Sequence, residues 1–132
     1  MNINKNIKQT LEEIKTIAVV GLSSKPERAS NGVSKYMMNN GYKIYPVNPV
    51  EKEILGEISY PDLKSLPIKP DLVNVFRSPE TVMPIVDEAI ELGIKKIWFQ
   101  LGVVNEEAIK KALDAGIEVV VDKCIKVEHM YL

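Results

Sequence analysis

Apolar residues in this chain follow two alternating patterns. Five short runs, Ile17–Leu22, Tyr42–Val47, Asp71–Phe76, Lys96–Gln100 and Ile117–Val121, are dense in aliphatic and aromatic side chains. Their length and near-continuous apolar character predict strands buried on both faces of a sheet. Between them the spacing changes to three and four. Ile7, Leu11 and Ile14 predict an opening amphipathic helix over about residues 3–15, and Val33, Tyr36 and Met37 predict a second that stops at Asn39-Asn40-Gly41. Val82, Ile85, Val86, Ala89 and Ile90 mark a third that stops at Gly93. Its start reads as Ser78-Pro79-Glu80, an N-cap, a proline at the first helical position and an acid in the first turn, with Pro84 also near the start. Asn105-Glu-Glu-Ala opens a fourth helix that ends near Ala115-Gly116. Residues 50–69 are the least regular, with a short helical turn expected over Tyr60–Pro67.

Strands that alternate with helices predict an α/β fold, a parallel sheet covered on both faces. The expectation is a single Rossmann-like domain over 1–132, with the 1–15 helix packed on it. Its doubly wound parallel five-stranded sheet takes the order 3-2-1-4-5, with right-handed crossovers. In such sheets ligands sit beyond the carboxyl ends of the strands. Attention therefore falls on Gly21 onward, Asn48-Pro49, Phe76-Arg77, Gln100-Leu101-Gly102 and Asp122 to Cys124.

Composition narrows the chemistry. The net charge of −1 supplies no basic excess for nucleic acid or an anionic membrane surface, so an anionic ligand needs a local site. The apolar runs are far shorter than a membrane span, and the polar N-terminus lacks a signal-peptide core, which predicts a cytoplasmic protein. One cysteine, Cys124, excludes an internal disulfide, and one histidine, His129, argues against a His-rich metal site.

The densest chemistry follows the first strand, in Gly21-Leu22-Ser23-Ser24-Lys25-Pro26-Glu27-Arg28-Ala29-Ser30. Gly21 permits close backbone approach. Ser23, Ser24 and Ser30 offer hydroxyls, Lys25 and Arg28 offer charge, and the next helix offers its N-terminal N–H groups; together these suit a pyrophosphate. The loop lacks the full G-x-G-x-x-G, and no Walker A lysine loop occurs in the chain. A dinucleotide-binding domain wants an acid at the end of its second strand to bond the ribose hydroxyls. Here Asn48-Pro49 stands instead, which suits either a strand-ending turn or a ligand edge, and leaves room for a ribose phosphate. Arg77 needs an anion or an ion pair with a neighbour such as Glu80. Cys124 reads as a small buried hydrophobe or a weak candidate nucleophile. Glu106-Glu107 fit a helix N-terminus better than acid–base chemistry. No catalytic pair stands out, which favours a binding module over an enzyme.

Taken in order, Val20-Gly21-Leu-Ser-x-x-Pro26-x-Arg28-x-Ser30, Gly41-Tyr42-x-x-x-Pro46-Val47-Asn48-Pro49, Val75-Phe76-Arg77 and Trp98-x-Gln100-Leu101-Gly102 form a recognisable set. With Asn105-Glu-x-Ala108 and Val121-Asp-x-Cys124 they resemble the small CoA-binding proteins of the YccU type, over about residues 10–132. Those are similar to the N-terminal CoA-binding domain of the succinyl-CoA synthetase α subunit and of NDP-forming acyl-CoA synthetases. The resemblance implies coenzyme A or an acyl-CoA as ligand. It implies a phosphate site at Gly21, Leu22, Ser23, Ser24, Lys25, Arg28 and Ser30, the adenosine beside Asn48 and Pro49, and Phe76, Arg77, Gln100 and Gly102 nearby. His129 does not match the phosphohistidine segment of the larger synthetases, so their activity is not expected. The alternatives are an NAD(P)-binding oxidoreductase-like domain and a subunit that delivers CoA to a partner ligase. A homodimer is a further expectation.

Overall fold

In the computed structural model, which describes residues 3–132, the apolar runs become the strands of a parallel sheet. They are β1 (Thr16–Val20) and β2 (Lys43–Val47), then a small hairpin of β3 (Glu53–Ile54) and β4 (Glu57–Ile58), then β5 (Leu72–Val75), β6 (Lys96–Phe99) and β7 (Glu118–Val121). The helices are α1 (Ile7–Glu13), α2 (Ala29–Asn39), α3 (Met83–Glu91), α4 (Glu106–Asp114) and α5 (Ile125–Met130). The first two positions of the expected 1–15 segment lie outside the described residues; α1 is the helical part of it.

The main sheet runs β2-β1-β5-β6-β7, with every neighbouring pair parallel. The architecture is the expected Rossmann-like one, but the strand order is corrected. Counting the five main strands alone, it is 2-1-3-4-5 and not 3-2-1-4-5, because the third of them pairs with the first on its free side. Two local features dictate this. Pro46 has no N–H to donate, and proline within a sheet is at home in an edge strand. β2 indeed carries an exposed Lys43 and a half-buried Tyr45. β5 is buried at all four positions, the signature of an interior strand. The order 3-2-1-4-5 would exchange those environments. The irregular segment after β2 covers part of the edge: Tyr60 donates to the Pro46 carbonyl at 3.0 Å, and Asn48 donates to the Tyr60 carbonyl at 2.9 Å.

Each face of the sheet has its own core. Ala18, Val73, Val75, Ile97 and Phe99 pack with Val86 and Ala89 of α3 and Ala108 and Ala112 of α4. On the other face Ile17, Val19, Leu72 and Trp98 pack with Leu11 of α1, Val33 and Met37 of α2, and Ile125 of α5. Each of the larger aliphatic side chains and Phe99 contributes roughly 1.5–3 kcal/mol when it leaves water, so the interior fixes the strand ends that carry the site. Trp98 is fully buried yet satisfied, its Nε1–H donating to the Lys123 carbonyl at 2.8 Å.

Three further elements differ from expectation. The helix after Ser78 is split into a single 3-10 turn (Pro79–Thr81) and α3, where Pro84 falls in the first turn and needs no acceptor for an N–H. The Ser78 side chain does not cap it; the Thr81 hydroxyl donates to the Ser78 carbonyl instead. Tyr60–Pro67 forms turns without a helix, with Asp62 Oδ1 accepting from both the N–H and the hydroxyl of Ser65. The tail folds into α5, anchored by buried Ile125.

Candidate functional site

With the order 2-1-3-4-5 the chain turns in opposite directions from β1 and β5, and the crevice of the sheet opens between their carboxyl ends. Gly21 stands at that point. Its N–H continues the ladder to the Val47 carbonyl at 2.9 Å, and Phe76 reaches back to the Val20 carbonyl at 2.9 Å. Gly21 then turns with φ of 89°. A Cβ here would lie 3.0 Å from the Phe76 carbonyl carbon and 2.9 Å from Arg77 Cδ, and closer still to the Phe76 carbonyl oxygen. The absent side chain lets the first loop lie against the end of β5.

Beyond Gly21 the loop folds onto the first turn of α2. Ser23 donates its N–H to Ser30 Oγ at 3.0 Å, Asn31 Nδ2 donates to the Ser23 carbonyl at 2.9 Å, and Lys25 N–H donates to Ser23 Oγ at 3.1 Å. These bonds shape a cleft of about 440 Å³, within the range of small-molecule sites. Gly21, Ser23, Lys25, Arg28, Ser30, Phe76, Arg77 and Gln100 of the sequence-derived set all line it.

Its electrostatics are one-sided. Lys25, Arg28 and Arg77 line the cleft, and no aspartate or glutamate does. None of the three makes an ion pair among the described residues, including the Arg77–Glu80 pair considered above. The first turn of α2 carries no acid, whereas α4 begins with Glu106 and Glu107. The positive end of the α2 dipole and three cations therefore converge on one opening, an arrangement that attracts a multiply charged anion.

Five residues of the sequence-derived set lie outside the cleft lining. Leu22 is fully buried among the α1, α2 and α5 core residues. Ser24 is exposed and donates to Glu51 Oε1 at 2.9 Å. Asn48 is largely occupied: Oδ1 accepts the N–H groups of Val50 and Glu51 at 2.8 and 3.2 Å, and Nδ2 donates to the Leu22 carbonyl at 3.0 Å. It ties the loop after β2 to the loop after β1, with exposed Pro49 on the outside. The Gly102 N–H donates to Asp122 Oδ1 at 2.8 Å, joining the loops after β6 and β7.

The cleft also gathers Ala29, Val33 and Val103, which sequence reasoning did not assign to it, together with Leu101 and Cys124 from two of the strand ends it marked. Ala29 and Val33 lie on the turn of α2 that carries Ser30, so helical spacing from Ser30 points to them. Cys124 is a free, partly buried thiol at the start of α5. It follows the end of β7, the strand end that the sequence marked as Asp122 to Cys124.

Comparison with known proteins bears on the family and the fold. The sequence family described as a CoA binding domain matches residues 15–130. The uncharacterized protein YneT of Bacillus subtilis strain 168 is 45% identical over 123 residues, covering 93% of this chain and 91% of that protein. A hypothetical protein from Pyrococcus horikoshii OT3 superposes with a TM-score of 0.94 at 43% identity, covering 96% of this chain and 89% of that one. The ADP-forming acetate–CoA ligase I of Archaeoglobus fulgidus is 26% identical over 121 residues, which are 84% of this chain and 18% of the ligase.

Proposed function

The chain belongs to the CoA-binding domain family, and from that premise we propose that its cleft binds coenzyme A or an acyl-CoA through the diphosphate, without catalysis of its own. The observation that carries the reading is the convergence of Lys25, Arg28 and Arg77, none in an ion pair among the described residues, on the first turn of α2, which holds no acid. Gly21 brings backbone to within ligand reach. The hydroxyls of Ser23 and Ser30 and the N–H groups of the first α2 turn complete the phosphate cradle. The adenosine then lies toward β2, beside Pro49 and the remaining N–H of Asn48.

The NAD(P) alternative meets an obstacle at the same place. A ribose diol wants an acceptor at the end of the second strand, and Asn48 Oδ1 already accepts two backbone N–H groups. Likeness to the acetate–CoA ligase favours one further reading, that the protein holds CoA for a separate ligase component. The chain spans only 18% of that ligase's length, so CoA binding is the share of the reaction assigned to it.

Isothermal titration with CoA, dephospho-CoA, NAD and ATP tests the proposal. Saturable binding of CoA, tighter than NAD and ATP, is the expected outcome; equal or weaker binding of CoA overturns it.

A further inference from the structure

Asn74 sits in the middle of β5, between Val73 and Val75, on a strand buried at every position. It is 1% exposed, and its register neighbour on β6 is the buried Trp98. A polar side chain here costs free energy unless it is hydrogen-bonded, and an aliphatic residue would fill an interior strand at no such cost. Its partner is Gln100, itself 3% exposed: Gln100 Nε2 donates to Asn74 Oδ1 at 2.9 Å. Gln100 is also a wall of the cleft. The bond therefore does more than satisfy two buried amides. It fixes the Gln100 amide plane and takes one of the two Nε2 hydrogens, while Oε1 accepts no hydrogen bond among the described residues and is open to a donor.

Topology says which part of the ligand that is. This step rests on the CoA reading of the cleft. The diphosphate lies at the β1 loop and the adenosine toward β2. Gln100 follows β6, and three strand spacings separate β2 from β6, roughly 14 Å. The surroundings change on the way. The loop that Gln100 opens adds Leu101 and Val103 to the lining, and Val33 and Cys124 extend its apolar, uncharged part, whereas Lys25 and Arg28 stand on the first loop and Arg77 follows β5. An aliphatic arm that carries amide N–H donors fits such a wall, and the pantetheine arm has that composition.

We propose that Asn74 is a positioning residue, and that it holds Gln100 with its side-chain carbonyl toward the cleft to accept an amide N–H of the pantetheine arm. Gln100 thereby reads the arm of the ligand, while the first loop reads its phosphates.

The test measures affinities of Asn74→Val, Gln100→Met and the double variant for two ligands, CoA and adenosine 3′,5′-bisphosphate, which lacks the arm. Each single variant should bind CoA about 5–30-fold more weakly and keep its affinity for the bisphosphate within twofold. The double variant should lose no more than the worse single one, because both substitutions remove one coupled interaction. Thermal unfolding accompanies each titration; if Asn74→Val does not fold, Gln100→Met alone carries the comparison. Equal losses for both ligands, no loss of CoA affinity, or losses that multiply in the double variant overturn the proposal. Failure of the unsubstituted protein to bind either ligand counts instead against the CoA reading itself.

Discussion

Replacing Gly21 by alanine should damage both the fold and the cleft, by an amount that the geometry allows one to work out. The residue turns at φ of 89°, where an L side chain costs about 1–2 kcal/mol. The added methyl would also meet the Phe76 carbonyl group and Arg77 Cδ at 2.9 Å. The obstacle is chiefly backbone at the end of an interior strand, which yields less readily than a side-chain tip. Overpacking of this kind costs about 1–3 kcal/mol. The two together come to about 2–5 kcal/mol, a large share of the stability of an ordinary domain. For a chain of this size that lowers Tm by roughly 7–18 °C. Gly116→Ala is the matched control. Gly116 turns at a similar φ of 83°, but a Cβ there meets nothing within 4 Å, so only the conformational cost applies. Thermal unfolding of the two variants separates contact from conformation, and titration with CoA reads the consequence for the site. Gly21→Ala should melt well below Gly116→Ala and bind CoA more weakly, because relief of the clash moves Phe76 and Arg77. Equal melting of the two variants, with CoA affinity intact in both, would show that the close approach of the loop to β5 has no energetic weight.

Other expectations follow from the same geometry. Lys25→Ala and Arg28→Ala should each weaken CoA binding by about 1–3 kcal/mol, with a shallower salt dependence in a titration series; unchanged affinity in both moves the phosphates away from the first loop. Asn48→Ala removes one hydrogen bond between the loops after β1 and β2 and two within the loop after β2, and should lower stability by about 1–2 kcal/mol in urea unfolding, an effect absent if these bonds carry no weight. Asp71 links the starts of β1 and β5. Partial burial pushes its carboxyl up, but the N–H groups of Lys15 and Thr16, at 2.7 and 3.1 Å, with the Thr16 hydroxyl and the Lys15 charge, outweigh burial and hold it below the usual value. Its stabilisation is therefore complete above the unfolded carboxyl range and is lost as pH falls through the depressed folded value. Asp71→Asn should be destabilised relative to the unsubstituted protein at pH 7, and the gap should shrink toward pH 2 in denaturant titrations; a gap independent of pH contradicts the assignment.

Most of the architecture was legible because period and punctuation agree in this chain. Continuous apolar runs marked interior strands, and three-and-four spacing with Asn40-Gly41, Gly93 and Gly116 as stops marked helices. Asn105 was a readable cap, and its Oδ1 does accept the Ala108 N–H at 3.0 Å. Strand order was less legible, yet its signals were present. Pro46 and Lys43 placed the second run at an edge, while the Leu72–Val75 run belonged inside. The β3–β4 hairpin was missed because two-residue strands have no measurable period. The tail was missed because α5 spans only six residues and keeps Val127 and Met130 exposed.

The site divides along similar lines. Residues on the first loop and at strand ends were legible because the fold class alone says where ligands sit. The roles of Leu22 and Asn48 were not, because each depends on which neighbour takes its side chain. Leu22 turns into the α1–α2–α5 core, and Asn48 spends its acceptor on its own loop. Asn74 looked like an ordinary strand position and acquires meaning only from the bond to Gln100.

The most direct test of the whole account is to titrate the isotopically labelled protein with CoA and follow its backbone amide resonances. Saturable shifts should cluster on Gly21, Ser23, Lys25, Arg28, Ser30, Arg77 and Gln100, and leave the β3–β4 hairpin and the groove between α4 and β7 unmoved. Saturable shifts confined to that groove, around Ile109, Leu113 and Val121, would place the ligand on the wrong side of the sheet and contradict the assignment of the cleft.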